Sequence, residues 1–260
     1  PDTAALRAVP HHLLDLVEPD QPFTLADWLS HARAVVSEVW ARGRLPLVVG
    51  GTGLYVSALI DGYELGAAAP SGELRRALTA ELEAEGLRPL AARLTELDPD
   101  GAARTDLRNP RRVLRALERA ITGGAPAAAA TTHPWTGPVA LIGLHRPTAV
   151  LDARIRARAA WMFAHGLLDE VGELRNRGLG ENLAPMTGHG YREAFMVLSG
   201  ELTPERAMEV TALHTRQYAK RQMTWFRRDQ RIEWLEVGEG SAADLAGAVV
   251  EQLRPLMPGS

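Results

Sequence analysis

The chain contains no cysteine in 260 residues. That excludes disulfides and every thiolate-held zinc or iron centre, and leaves hydroxyls, carboxylates, arginine, histidine or a bound ion to carry any chemistry. Lysine is almost as scarce. Lys220 is the only one, so 28 of the 29 Lys and Arg residues are arginine. An arginine-rich genome accounts for that as well as a need for bidentate bonding does, so no arginine is singled out for not being lysine. No run approaches the roughly 18 apolar residues that span a bilayer, and the first residues lack the charged and apolar regions of a signal peptide. A cytoplasmic location with no membrane contact is the expectation. The phosphate-loop pattern G-x-x-x-x-G-K-[ST] does not occur, and neither does HExxH or a Ser-His-Asp order. His11 and His12 are adjacent, and adjacent residues of a strand point to opposite faces, so no metal pair is expected there.

What the chain does have is a local excess of positive charge. Its formal net charge is −3, yet Thr215 to Arg231 holds six basic residues and one acid, Asp229. Read as a helix, TRQYAKRQMTWFRR places Arg216, Lys220 and Arg227 on one line with Arg221 and Arg228 beside it, while Tyr218, Ala219, Trp225 and Phe226 take the opposite arc. A confined patch of this kind neutralises phosphates and gives a defined footprint on nucleic acid; a solvated face of an amphipathic helix is the plainer alternative. Two further clusters are basic. Arg104, Arg108, Arg111, Arg112, Arg115 and Arg119 fall within sixteen residues, with Pro110 opening a helix, and Arg154, Arg156 and Arg158 form the other.

At 46% hydrophobic content the chain can bury a large core, as one domain or a domain with a subdomain. Thr24 to Arg42 has apolar residues at helical spacing, with Thr24 as N-cap and Asp27 three residues on. Leu45–Val49 then reads as a buried parallel strand, followed by the glycine turn Gly50-Gly51-Thr52-Gly53 and a helix from Leu54. Val139–Leu144 reads as a second strand with one helix over 149–178, and Ala8–Leu16 as a turn and a short strand. Residues 65–125 lack strand-like runs and read as a helical insertion; Ala127–Ala130 reads as the linker back to the sheet, and Ser241–Ser260 as a short amphipathic helix. The domains expected are thus 1–64 and 126–260 for an α/β core and 65–125 for the insertion.

In the glycine turn, backbone N–H groups and the following helix N-terminus suit an anion, although tight geometry alone explains the glycines equally well. Arg154 and Arg158, four residues apart, face one way and are expected to converge with Thr52 at the carboxyl edge of the sheet, where a guanidinium pair suits a pyrophosphate; pairing with Asp152, Asp169 or Glu170 is the competing reading.

Six segments together resemble one family, the bacterial tRNA dimethylallyltransferases or tRNA isopentenyltransferases: PHHLLDLVEPDQPFTLADW, LPLVVGGTGLYVSALIDG, LDPDGAARTDLRNPRRVLRALE, the RIRAR-x-x-WM and GLLDEV run, GHGYREA, and TRQYAKRQMTWFRR. They follow the family's order from residue 9 to 235. The resemblance implies an α/β fold, a P-loop-kinase-like parallel sheet flanked by helices with an all-helical insertion. It implies transfer of a dimethylallyl group from dimethylallyl pyrophosphate to N6 of adenosine 37, beside the anticodon, in tRNAs that read codons beginning with U. Thr52 and Arg158 would be catalytic, and Gly50, Gly51, Gly53 and Arg154 would line the pyrophosphate and prenyl channel. Arg75, Arg111, Arg112 and Arg115 would grip the anticodon stem-loop. Gly190, Tyr191 and Arg192 of GHGYREA would line the RNA side of the core with Arg216, Lys220, Arg221, Gln222 and Trp225. The family generally has an aliphatic residue where this chain has His189. The family's phosphate loop and general-base Asp precede the PHHL segment, so the chain is expected to be an N-terminally truncated monomer that binds tRNA weakly without turnover, with most ligands of an implied Mg²⁺ upstream. Adenylate isopentenyltransferase, a non-catalytic tRNA-binding derivative and a generic P-loop kinase or ATPase are the alternatives.

Overall fold

The computed structural model describes residues 8–62, 72–123, 134–180, 183, 186, 188–238 and 242–256. In chain order its elements are α1 (Leu25–Ala41), α2 (Gly53–Asp61), α3 (Gly72–Glu85), α4 (Leu87–Leu97), α5 (Pro99–Ala103), α6 (Pro110–Thr122), β1 (Leu141–His145), α7 (Thr148–Ala164), α8 (Leu167–Asn176), α9 (Tyr191–Leu198), α10 (Pro204–Phe226), β2 (Ile232–Glu236) and α11 (Ala242–Leu253). The chain divides into two compact units, residues 61–134 and the rest. The boundaries expected at 64/65 and 125/126, and the Ala127–Ala130 linker, lie outside the described residues. Among the described residues no helix is long and apolar enough to cross a membrane.

Among its described residues, unit 61–134 has helices and no strand. Leu78 of α3, Leu90 and Leu94 of α4, Ala102 of α5 and Val113, Leu114 and Leu117 of α6 form its core, and each large side chain taken out of water contributes about 1.5–3 kcal/mol. Helix α6 starts where Asn109 accepts the Arg112 N–H and Pro110 fills the first position, and stops at Gly123 in the left-handed conformation.

The other unit has an α/β centre. β1 and β2 pair in parallel, Leu141 opposite Ile232 through His145 opposite Glu236. Gly143 lies against the Trp234 and Ile232 side chains, where a Cβ would have no room. Helix α1 begins with the expected reciprocal cap, Asp27 accepting the Thr24 N–H and Thr24 accepting the Asp27 N–H. Such a cap contributes about 1 kcal/mol. Packing of α7 on α10 buries Ile155, Ala159 and Ala212, and α8 packs on α9 around Val171, Met186, Ala194 and Phe195.

Three expectations are corrected. Leu45–Val49 is not a strand: no described residue offers it a hydrogen-bonding ladder, and Leu47, Val48 and Val49 are exposed. A run of β-formers becomes a strand only beside a partner. Ala8–Leu16 is irregular too, since Leu13 and Asp15 take positive φ angles that break an extended run. The single helix expected over 149–178 is two helices, because Gly166 sits at φ 93 and His165 turns its Nδ1–H back onto the Trp161 carbonyl. Conversely β2 was not anticipated, and α10 starts well before Thr215 and ends at Phe226, so Arg227 caps it and Arg228 lies beyond.

Candidate active site

Helix α10 carries the site. Thr211, Thr215, Tyr218, Gln222 and Trp225 recur every three or four residues, so they line one stripe of it. The glycine turn lies against the C-terminal part of that stripe. Gln222 Nε2 donates to the Gly51 carbonyl at 3.0 Å, and the hydroxyls of Thr52 and Tyr218 are 3.4 Å apart. A Cβ on Gly51 would fall 1.9 Å from Gln222 Nε2, and one on Gly53 2.1 Å from Trp225 Cδ1. At Gly53 the Trp225 ring leaves no room for a side chain, whereas at Gly51 the approaching group is the movable end of Gln222. Gly50 has open space around it. The Trp28 and Tyr55 rings, 4.8 Å apart, tie α1 to the helix that follows the turn.

At the other end of the stripe Arg154 and Arg158 of α7 face Thr211 and Thr215 across a hollow of about 280 Å³, with Ile155 and Met162 as apolar wall. Arg156, two residues out of phase, pairs instead with Asp152 at 2.8 Å. Arg154 has no carboxylate partner among the described residues, and Arg158 lays its guanidinium 4.7 Å from the Trp161 ring centre. The buried Thr211 hydroxyl has no hydrogen-bond partner among the described residues. Such a group costs about 1–3 kcal/mol unless a ligand or water satisfies it. Thr215 and Tyr218 are three residues apart, about 4.5 Å of helix rise, so the arginine hollow and Thr52 adjoin along one helix face.

The remaining candidates divide by what they touch. Arg216 is engaged with Asp152 at 3.1 Å, which ties α10 to α7; the Arg156 hydrogen bond, ahead of Arg216, holds the Asp152 carboxyl below the usual range. Lys220 and Arg221 are exposed, with Arg221 5.8 Å from the Tyr218 ring centre. Trp225 packs on Gly53 and, with Ser57, Arg228 and Gln230, borders a second, shallow hollow. Gly190 is buried at φ 100, and Tyr191 donates its hydroxyl to Glu170 at 2.5 Å. Burial first, then Glu170, pushes the Tyr191 phenol up to about 12. Arg192 is exposed. Tyr218 and Thr211 were missed by sequence reading; the three-and-four spacing through Gln222 and Trp225 was the signal that could have found them.

In the helical unit, α6 turns Val113, Leu114, Ala116 and Leu117 inward and Arg111, Arg112 and Arg115 outward. Cations in a first turn oppose the helix dipole, so Arg111 and Arg112 do not serve the helix itself, and together with its N-terminus they suit an anion. Arg75 is placed otherwise. Its Nε and one Nη bond the two carboxylate oxygens of Glu118, whose side chain is fully buried. One edge of the Arg75 guanidinium thus neutralises a buried acid, while the side chain stays 47% exposed.

The chain matches the family model described as IPP transferase over residues 1–229. The tRNA dimethylallyltransferase of Pelotomaculum thermopropionicum is 42% identical over 240 residues, which cover 91% of this chain and 76% of that protein. That of Thermobifida fusca is also 42% identical, over 94% and 76%. Among solved structures, the tRNA isopentenylpyrophosphate transferase of Bacillus halodurans superposes with a TM-score of 0.66 at 32% identity, covering 98% of this chain and 82% of that one. Six motifs in order, a glycine turn seated on a basic and aromatic helix, and these similarities agree: the chain belongs to the IPP transferase family.

Proposed function

We propose that this protein is a tRNA dimethylallyltransferase, moving the dimethylallyl group of dimethylallyl pyrophosphate to N6 of adenosine 37. The observation that carries the reading is the juxtaposition, along one face of α10, of the Thr52 turn with a hollow that presents two arginines at an apolar wall. In the reaction the N6 lone pair forms a bond to C1 of the dimethylallyl group while the C1–O bond breaks. The electron pair leaves with pyrophosphate, and N6 passes its proton to a general base, the role that the family resemblance gives to an aspartate.

Charge grows on the leaving pyrophosphate, and Arg158 and Arg154 stabilise it, as pre-placed cations do where charge develops. Arg154 is unpaired for this purpose, whereas Arg158 is steadied on Trp161. Ile155 and Met162 give the prenyl group a dry wall, and the Thr211 hydroxyl gains its missing partner. Thr52, held by Tyr218, positions the adenine that has left its stack. Gln222 and Trp225 act by fixing the glycine turn, with Trp225 also open to RNA. Lys220, Arg221 and Arg192, exposed on the core, and Arg111, Arg112 and Arg115 on the helical unit bind phosphates of the anticodon stem-loop. Arg75 serves that grip by neutralising Glu118, and Arg216 by fixing α10 on α7. The protein acts as a cytoplasmic monomer.

For Mg²⁺, which the family's chemistry implies, the described residues near Thr52 supply hydroxyls and guanidiniums. They hold no cluster of three or more acidic or histidine ligands. They do not make a magnesium site by themselves, and no step is routed through the ion.

The test is transfer of labelled dimethylallyl by this protein to an anticodon stem-loop carrying A36-A37. Thr52→Ala and Arg158→Ala are expected to lower kcat/KM at least a hundredfold, with stem-loop affinity nearly unchanged. Binding of the stem-loop without transfer would favour a non-catalytic RNA-binding role.

A further inference from the structure

Next to Thr52 lies a group of side chains that the transfer reaction does not use. Glu193, one turn into α9, is 2% exposed. One of its carboxylate oxygens accepts the Gly190 N–H at 2.8 Å, and the other lies 2.8 Å from His214 Nδ1. A carboxylate accepts, so His214 Nδ1 carries a hydrogen and donates it. The His214 ring is 6.2 Å from that of His189, and His189 meets the Tyr218 ring at 5.5 Å, edge to face. Tyr218 ends the series with its hydroxyl 3.4 Å from Thr52. A buried acid is thereby linked, through two imidazoles and a phenol, to Thr52.

We propose that His189 is a positioning residue: packed edge to face on Tyr218 and beside the His214–Glu193 pair, its imidazole holds the Tyr218 hydroxyl against Thr52. The inference rests on the role given to Thr52 above. Tyr218 has an exposed cation on it already, the Arg221 guanidinium, and His189 and Thr52 reach its ring and hydroxyl from other parts of the fold. An aliphatic side chain at 189 would cover the ring without the directional edge contact that aromatic pairs make.

The placement makes the contact sensitive to pH. The charged and titratable groups around His189 are Glu193, four residues on in α9, and His214, Tyr218 and Arg221 on α10, with Arg154 and Arg158 of α7 at the far end of the stripe. Burial lowers the affinity of His189 for a proton; Glu193 works the other way, and His214 and Arg221 lower it further. A proton on His189 places a charge where burial disfavours it and where His214 and the Arg221 guanidinium repel it. The ring is then driven outward, and Tyr218 loses its brace.

The experiment reads the Thr52–Tyr218 contact by NMR in the chain of residues 1–260, with labelled threonine methyls and tyrosine rings, between pH 5 and 8. In the unsubstituted protein the Thr52 methyl to Tyr218 ring cross-peak is expected to fade on acidification with the midpoint at which the His189 ring titrates. His189→Phe, which keeps an aromatic edge and cannot take up a proton, is expected to keep the cross-peak without the pH dependence, and His189→Ala to lose it at every pH. A cross-peak that stays constant while His189 titrates, or that survives His189→Ala at full intensity, would overturn the proposal. The measurement needs no RNA: a protein that keeps this coupling yet never binds or modifies a stem-loop would sink the functional reading and leave the positioning role standing.

Discussion

Arg75→Ala is the substitution that separates an RNA contact from a structural one. Glu118 has no exposed side-chain surface and has Arg75 as its ion-pair partner, while Arg75 itself is 47% exposed. Removing one member of a buried pair costs about 3–5 kcal/mol, and water reaching the Arg75 side brings the expectation to about 3. There is also a ceiling. The stranded carboxylate can take up a proton, which from an ordinary carboxylate value costs about 3.7 kcal/mol at pH 7 and about 1 at pH 5. The loss should therefore shrink as pH falls. Amide hydrogen exchange of peptides from α3 and α6 is the assay, corrected for the intrinsic pH dependence of exchange. At pH 7 the most protected amides should open roughly 150-fold more often, and at pH 5 only about fivefold. Arg75→Ala with Glu118→Gln should recover most of the protection. Exchange in α6 within threefold of the unsubstituted protein at pH 7 would refute the reasoning. Stem-loop binding gives the functional half. If Arg75 acts only through Glu118, affinity returns in the double variant with the salt slope unchanged; a direct phosphate contact would leave affinity reduced and the slope smaller by about 1.

Gly53→Ala should destabilise the α/β unit by about 1–3 kcal/mol in urea melts, because its Cβ would fall against the rigid Trp225 ring. Gly51→Ala should cost less, since the flexible end of Gln222 can swing away; equal costs would argue against the seating described. In an ultraviolet titration one tyrosine, Tyr191, should ionise near 12, and Glu170→Gln should bring it down. A raised value in the folded state means that its contribution to stability is complete below about 10 and is lost as pH rises through about 12. Alkaline unfolding that ignores Glu170→Gln would count against it.

Local rules served where local chemistry decides. The reciprocal cap of Thr24 and Asp27 is written in four consecutive residues, and α1 begins where they place it. Pairing is not local, and there the reading failed. Leu45–Val49 has the composition of a strand and no ladder among the described residues, while β2 carries Glu233 and Glu236 among its five residues and is a strand because β1 lies alongside. The helix break at Gly166 was legible only as a glycine within an otherwise helical pattern, which tolerates either outcome.

The glycine turn shows why the site was half visible. Three glycines beside a threonine announce that something approaches the backbone closely, and a bound anion is the usual inference. At Gly51 and Gly53 the approaching groups are Gln222 and Trp225, about 170 residues along the chain, members of the helix that was read as an RNA surface. The two motifs are therefore one structure. Thr52 is presented at a fixed place on α10 because the glycines on either side of it let that helix come near, and Tyr218 then meets its hydroxyl. A substitution on the inner stripe of α10 should accordingly disturb Thr52, whereas one on its outer basic arc should weaken RNA binding and leave the turn in place. Sequence position gives no hint of that division; the orientation of the helix does.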